Sequence, residues 1–282
     1  MTKAFVVGHP IKHSRSPLIH GYWLQQYGLD GSYERIDVAP VNFGDFLKGF
    51  RSQGFAGGNV TIPHKEIAFL GVERRTAQAE RVGAVNTLWI EDGVLWGDNT
   101  DVTGFMAHLD ATLGIGWEQD VETVLVLGAG GAAHAVVAGL QNRPCKRIFV
   151  ANRTLSKAED LVRDLRPGSS VGLETSAWEA LPRVIPHAQL IVNTTSLGMA
   201  GQPPLTLDLS KAPRNAAVAD IVYVPLETPL LAAATAQGLR TVDGLGMLLH
   251  QAVPGFKRWF GVTPEVTPEL RALILADIEG KR

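Results

Sequence analysis

Four consecutive apolar residues, Val124-Leu125-Val126-Leu127, run straight into Gly128-Ala129-Gly130-Gly131, and a helix-forming run, Ala132 to Leu140, follows at once. That is the sequence form of a buried strand, a tight turn and a helix N-terminus. Glycines at 128 and 130 let backbone N–H groups approach a pyrophosphate, and the helix end supplies unpaired donors and a favourable dipole. Ala133 takes the third small position, where a larger side chain would push helix and strand apart. Glycines also serve ordinary turns, so a plain structural turn stands as the second reading. The placement between a strand and a helix favours the dinucleotide site.

The 282 residues suffice for one large core or two ordinary domains. With 45% hydrophobic and 19% charged residues the composition is that of a soluble globular protein. A net charge of -2 argues against a nucleic-acid partner, while leaving room for local basic pockets that hold small anions. The single cysteine, Cys145, excludes an internal disulfide framework and fits a reducing compartment. Its place between Pro144 and Lys146, before an apolar run, marks it as structural rather than nucleophilic. Lys3 leads directly into a short strand-like run, without a secretory pattern. Thr123 to Leu140 alone could pass for a membrane span, and its glycines and His134 read better as strand, turn and helix. A cytoplasmic protein with no membrane partner and no bound metal is expected.

Ala4 to Gly8 predicts a short buried strand, followed by His9-Pro10-Ile11-Lys12-His13-Ser14-Arg15-Ser16-Pro17. Ser16 before Pro17 reads as a hydroxyl cap with proline at the first helical position, and Ile19, Tyr22, Trp23 and Gln26 continue at helical spacing until Gly28. Ser14 and Ser16 thus sit beside a helix N-terminus. They are either a place to hold a carboxylate or merely a loop residue and a cap. A strand over Ser32 to Val38, a helix over Val41 to Arg51 and a third strand over Phe55 to Ile62 follow. Alternation sends Asn59 and Thr61 to one side and Val60 and Ile62 to the other. Polar groups at such a strand end are where open α/β sheets meet ligands. Lys65 stands at the strand-to-helix corner after Pro63, either simply solvated or functional. Asp92-Gly93 predicts a hairpin turn, and a polar cluster, Asp98-Asn99-Thr100-Asp101, precedes a helix over Val102 to Leu113.

Beyond residue 120, strand-like runs at Val124–Leu127, Arg147–Ala151, Leu190–Asn193, Ala217–Ile221 and Arg240–Val242 alternate with helical patterns. Such alternation implies a parallel sheet with helices on both faces. A cofactor lacking a 2′-phosphate is normally met by a carboxylate about 20 residues beyond the glycines. Here the second strand ends in Asn152-Arg153-Thr154, with Lys157 just beyond and no carboxylate at the strand end. Cations are unfavourable at a helix N-terminus unless an anion faces them. The pattern therefore selects NADP(H) over NAD(H). A helix beginning near Gly244 and a last one over Thr267 to Glu279, capped by Thr267, close the chain.

These pieces together resemble one family, the shikimate/quinate dehydrogenases, and specifically its NADP-dependent shikimate dehydrogenases. The resemblance runs nearly end to end, through His13-Ser14-Arg15-Ser16-Pro17, Asn59-Val60-Thr61-Ile62-Pro63-His64-Lys65, Gly83-Ala84-Val85-Asn86-Thr87 and Gly97-Asp98-Asn99-Thr100-Asp101. It continues through the glycine turn, Asn152-Arg153-Thr154, Asn193-Thr194-Thr195-Ser196-Leu197-Gly198-Met199, Asp220-Ile221-Val222-Tyr223-Val224-Pro225, and Gly244 to Ala252. It implies an α/β chain of two domains with a cleft between them. The first is an N-terminal α/β substrate domain, residues 1–104, joined by C-terminal helices 244–282. The second is a Rossmann-type NADP-binding domain with a parallel sheet, residues 105–243.

By the same resemblance Lys65 and Asp101 form the catalytic pair, and Ser14 and Ser16 hold the substrate carboxylate. Thr61, Asn86, Asp101 and Gln251 bind ring hydroxyls, and Tyr223 lies at the substrate's edge. Gly128, Ala129, Gly130, Gly131, Ala132, Asn152, Arg153, Thr154, Lys157, Thr194, Met199, Gly244 and Met247 would line NADP. The implied reaction is NADPH-dependent reversible reduction of 3-dehydroshikimate to shikimate on the route to chorismate and the aromatic amino acids, by a monomer or homodimer. A quinate or aminoshikimate dehydrogenase and a non-catalytic NADP-binding sensor are the alternatives. The presence of both Lys65 and Asp101 speaks against the sensor.

Overall fold

In the computed structural model, which describes residues 1–280, the run Ala4-Phe5-Val6-Val7 lies inside strand β1 (Thr2–Gly8) and is buried on both faces. The chain forms two compact units, Met1–Gly104 with the segment from Leu249 onward, and Phe105–Leu248. In the first unit β1 is followed by α1 (Ser16–Gln26), β2 (Gly31–Asp37), α2 (Phe43–Gly49) and β3 (Phe55–Val60). Then come α3 (Lys65–Gly71), β4 (Arg74–Arg75), α4 (Ala77–Val82), β5 (Thr87–Glu91), β6 (Val94–Asp98) and α5 (Thr100–Leu113), the helix in which the chain passes to the second unit. The sheet order is β2-β1-β3-β5-β6-β4, parallel among β2, β1 and β3 and antiparallel across β3-β5-β6.

A strand covered on both faces reads as a continuous apolar run rather than an alternating one, and β1 does so for this reason. Phe5 and Val7 belong to a cluster with Phe43, Leu47, Phe50 and Phe55. Phe5 meets Phe46, Phe50 and Phe55 edge-on at 5.2, 5.3 and 5.2 Å between ring centres. Ala4 and Val6 join Ile11, Tyr33, Trp89 and Trp259 on the opposite face. The Asp92-Gly93 turn has φ of 52° and 76°, the paired left-handed geometry that suits a two-residue hairpin loop.

Two sequence expectations are corrected here. Helix α1 begins one residue earlier than a Ser16 cap requires, because Leu18 and Ile19 both donate to the Arg15 carbonyl. Arg15 is the cap position, and the Ser14 hydroxyl accepts the Ser16 N–H at 3.4 Å. Strand β3 stops at Val60, so the alternation does not reach Ile62, which is 73% exposed while Val60 is buried. Proline 63 has no N–H with which to continue a ladder, and His64 donates back to the Thr61 carbonyl at 2.9 Å, closing a turn.

The second unit continues with β7 (Thr123–Leu127), α6 (Gly131–Leu140), β8 (Arg147–Ala151), α7 (Leu155–Leu165), β9 (Gly172–Ser176), α8 (Leu181–Val184) and β10 (Leu190–Asn193). It ends with β11 (Ala217–Asp220), α9 (Pro229–Ala236), β12 (Arg240–Val242) and the start of α10 (Leu245–His250), the helix in which the chain returns to the first unit. All its strands are parallel in the order β12-β11-β10-β7-β8-β9. Counted within the unit this is the doubly wound order 3-2-1-4-5-6, whose direction of winding reverses between β7 and β10. Strand β9, absent from the sequence expectation, forms the edge beside β8.

Helices α11 (Ala252–Phe260) and α12 (Pro268–Ile278) belong again to the first unit, and Thr267 caps α12 by accepting from Leu270 at 3.3 Å. The Trp259 indole donates to the Leu88 carbonyl at 2.8 Å. A Cβ at residue 57 would lie 2.1 Å from that carbonyl and 2.5 Å from the indole nitrogen, so glycine there is a requirement of packing. No helix among the described residues is long and apolar enough to cross a membrane.

Candidate active site

In the first unit, Lys65 opens α3 and Asp101 lies in the first turn of α5. A cation at a helix N-terminus opposes the dipole and an anion complements it. Their contact reconciles the two positions: Lys65 Nζ donates to Asp101 Oδ2 at 2.6 Å. Asn86 Nδ2 donates to the other oxygen, Oδ1, at 2.9 Å. The Asn86 carbonyl oxygen Oδ1 in turn accepts from the Thr100 N–H (2.8 Å), the Thr87 hydroxyl (2.9 Å) and the Thr100 hydroxyl (3.1 Å). Asp101 is therefore held on both oxygens, and its holder is held by three donors. The Lys65 and Asp101 side chains are 29% and 17% exposed, open enough to meet a small molecule yet partly desolvated.

Beneath this group runs a polar chain that sequence reasoning missed. The Tyr33 hydroxyl donates to Asn59 Oδ1 at 2.6 Å, and Asn59 Nδ2 donates to the Asn86 backbone carbonyl (3.2 Å) and the Thr87 hydroxyl (3.1 Å). Burial pushes the Tyr33 phenol well above its ordinary range, so it stays a donor. Asn59 was expected beside a ligand; it is a buried strut instead. Beside it stands His20, buried with neither ring nitrogen hydrogen-bonded, its pKa lowered to about 3 by desolvation with the Asn59 side chain acting the other way.

Ser14 and Ser16 are brought together, with their hydroxyls 3.3 Å apart. Thr61 follows β3, its N–H bonded to the Val7 carbonyl at 2.9 Å and its methyl so near Gly8 that a Cβ there would lie 2.5 Å from it. Gln251, nearly buried, precedes α11, and Gly104 of α5 allows its backbone to approach: a Cβ on Gly104 would lie 2.7 Å from the Gln251 nitrogen.

In the second unit the glycine turn sits at the C-terminal end of β7, beside the reversal point. Gly128 has φ of 109°, and a Cβ there would meet Thr194 Oγ1 at 2.6 Å. Thr194 fixes this junction by donating its N–H (2.8 Å) and its hydroxyl (2.7 Å) to the Leu127 carbonyl. Gly130 is the cap of α6 and Gly131 its first residue; Cβ atoms there would meet nothing within 4 Å. Ala129 and Ala132, which flank this pair, are half-buried, and Ala133 is fully buried. The α6 N-terminus thus presents uncovered backbone, and its first turn carries no acid.

At the end of β8, Asn152 donates to the Thr154 carbonyl at 2.8 Å, shaping the turn into α7. Arg153, Thr154 and Lys157 are exposed, and among the described residues neither cation pairs with a carboxylate. Thr154 is the cap residue of α7, yet its hydroxyl caps nothing. Met199 is 40% exposed and Tyr223 half-buried, on the loops after β10 and β11. Sequence reasoning also missed the carboxylate that sets those loops. Buried Asp220 accepts from Asn193 Nδ2 (2.9 Å), the Val222 N–H (3.0 Å) and the Thr228 hydroxyl (2.8 Å), and burial pushes its pKa up. Gly244 packs so closely that a Cβ would lie 2.3 Å from the Ile221 carbonyl oxygen, and Met247 follows in α10. Cys145 is buried and its thiol pushed up, as a structural residue requires. No cluster of metal-ligating side chains is found among the described residues.

Three family profiles match the chain: the shikimate dehydrogenase substrate binding domain over residues 6–88, shikimate / quinate 5-dehydrogenase over 115–223, and the shikimate 5'-dehydrogenase C-terminal domain over 244–273. A shikimate dehydrogenase (NADP(+)) of Methylobacterium radiotolerans is 61% identical over 280 residues, 99% of this chain and 98% of the relative. Shikimate 5-dehydrogenase of Thermus thermophilus, solved with NADP(H) and shikimate, superposes with a TM-score of 0.84 at 34% identity, covering 100% of both chains. Quinate dehydrogenase of Corynebacterium glutamicum, solved with NAD, superposes with a TM-score of 0.89 at 31% identity, covering 98% of this chain and 99% of the other.

Proposed function

The chain belongs to the shikimate dehydrogenase family, and from that premise we propose that it reduces 3-dehydroshikimate reversibly to shikimate with NADPH. The observation that carries this reading is the Lys65–Asp101 contact, steadied by Asn86. Lys65 Nζ delivers a proton to the substrate carbonyl oxygen in reduction and removes it in oxidation, while its ammonium stabilises negative charge on that oxygen. Asp101 Oδ2 aims the ammonium. With Oδ1 occupied by Asn86, the carboxylate cannot rotate away. Ser14 and Ser16 hold the substrate carboxylate, Thr61, Asn86 and Gln251 hold ring hydroxyls, and Tyr223 borders the substrate.

The residues of the second unit suit NADP. The turn from Gly128 to Ala132, with open backbone at Gly130 and Gly131 and the positive end of α6, suits a pyrophosphate. Arg153, Lys157, Asn152 and Thr154 offer cations and a free hydroxyl to a 2′-phosphate, where no carboxylate would repel it. Thr194, Met199, Gly244 and Met247 border the rest. When bound, the coenzyme supplies or accepts the hydride. On this reading the first unit is the substrate domain and the second the coenzyme domain of a cytoplasmic enzyme.

The direct test follows NADPH formation at 340 nm with shikimate, with quinate as the competing substrate. Lys65→Ala is expected to lower kcat by about 10²–10⁴-fold while shikimate still binds by calorimetry. Turnover within a few-fold of the unaltered protein would remove Lys65 from the acid–base role.

A further inference from the structure

The Ser14 carbonyl oxygen receives two donors from one side chain, Arg35 Nε at 2.9 Å and Nη2 at 2.7 Å. Arg35 stands on β2, in register with Val6 of β1, and is solvent-exposed. Among the described residues no carboxylate pairs with it. Its neighbour Glu34 is engaged by Lys3, and Asp37 by His9 and the Ile11 N–H. The rest of Ser14 is also fixed: its N–H donates to the Ile11 carbonyl at 3.0 Å, and its hydroxyl lies between the Ser16 N–H and the Ser16 hydroxyl. A full positive charge is therefore locked against the residue that carries one of the two paired hydroxyls. Only a planar guanidinium places two N–H groups on one oxygen while holding its charge in a set direction.

We propose that Arg35 sets the preference of the Ser14–Ser16 site for an anionic substrate, a carboxylate-bearing cyclic polyol. It does so by fixing the Ser14 peptide and by supplying charge that no carboxylate among the described residues pairs with. Hydroxyls already bind a carboxylate more strongly than its neutral ester, and a fixed cation beside them widens that difference. Arg35 is thus a positioning and specificity residue, remote from proton and hydride transfer. The inference rests on the reading of Ser14 and Ser16 as the carboxylate holders.

Steady-state kinetics of the full chain test it, with shikimate and its methyl ester as substrates, for Arg35→Gln, Arg35→Lys and Ser16→Ala. Arg35→Gln is expected to raise the KM for shikimate about tenfold, to leave kcat within about twofold, and to leave the KM for NADP unchanged. Its KM for the ester should rise far less, within about threefold, since only the anchoring of Ser14 is lost there. Arg35→Lys, which keeps the charge without the fork, should fall between. The KM for shikimate should rise with salt more steeply in the unaltered protein than in Arg35→Gln. An unchanged KM for shikimate in Arg35→Gln, or equal losses for acid and ester, overturns the assignment. If Ser16→Ala raises the KM for shikimate while Arg35→Gln does not, Arg35 alone falls. If Ser16→Ala also leaves it unchanged, the carboxylate reading falls with it.

Discussion

His20 offers a sharp test of how burial governs stability. Its ring stacks on Tyr33 at 4.0 Å and 13°, with Trp23, Phe256 and Trp259 completing the enclosure. Desolvation there lowers its pKa from 6.5 to about 3. The unfolded chain therefore binds a proton at this residue over a pH range in which the folded chain does not. Stability is lost as pH falls from 6.5 towards 3. Between pH 7 and pH 5 the single-site linkage amounts to about 2 kcal/mol, since the unfolded histidine goes from about one-quarter to almost fully protonated. His20→Phe keeps a flat ring in the enclosure and removes the titration. The measurement is urea denaturation of both proteins at pH 7 and pH 5, followed by tryptophan fluorescence. Every contribution common to both proteins cancels in the difference, as does any constant packing offset. The variant should gain about 2 kcal/mol on the unaltered protein as the pH drops. A difference that stays constant within about 0.5 kcal/mol would show that His20 is protonated, or solvated, in the folded protein.

Two further outcomes are expected. Arg153→Ala should raise the KM for NADP by about 10–100-fold, the loss of a charge-assisted contact to a phosphate, and leave the KM for NAD unchanged; equal effects on both would place Arg153 away from the 2′-phosphate. Asp220→Ala should destabilise the second unit by about 2 kcal/mol in urea denaturation, because Asn193, Val222 and Thr228 lose their shared acceptor; a loss below about 0.5 kcal/mol would contradict the hub described for it.

The two-domain α/β architecture was legible because its strongest signals are local. The β7–glycine–α6 unit announces itself through a run of apolar residues, a cluster of small ones and a helical pattern, all within 18 residues from Thr123 to Leu140. Strand β9 was not legible, since an edge strand buries only Leu173 and Ser176 of its five residues and so lacks an apolar run. The Ser16 cap was misplaced by one residue because the deciding bonds, from Leu18 and Ile19 to the Arg15 carbonyl, depend on local geometry that several sequences share. Lys65 stood at a visible corner, yet its partner Asp101 lies 36 residues on and was supplied by family resemblance alone. Tyr33–Asn59 and Asn193–Asp220 join residues 26 and 27 apart. No periodicity reports such pairs, because they depend on which strands become neighbours.

The bond from Trp259 to the Leu88 carbonyl bears on the order in which the chain is made. Every strand of both sheets has been synthesised once Val242 is reached, and the second unit lies wholly within residues 105–248. The first sheet is then still without α11 and α12, so the face carrying Ala4, Val6, Tyr33 and Trp89 lacks its Trp259 cover. That unit was begun first and is sealed last. Until its C-terminal helices leave the ribosome, the part of that face which Trp259 covers is open to chaperones and to other nascent chains.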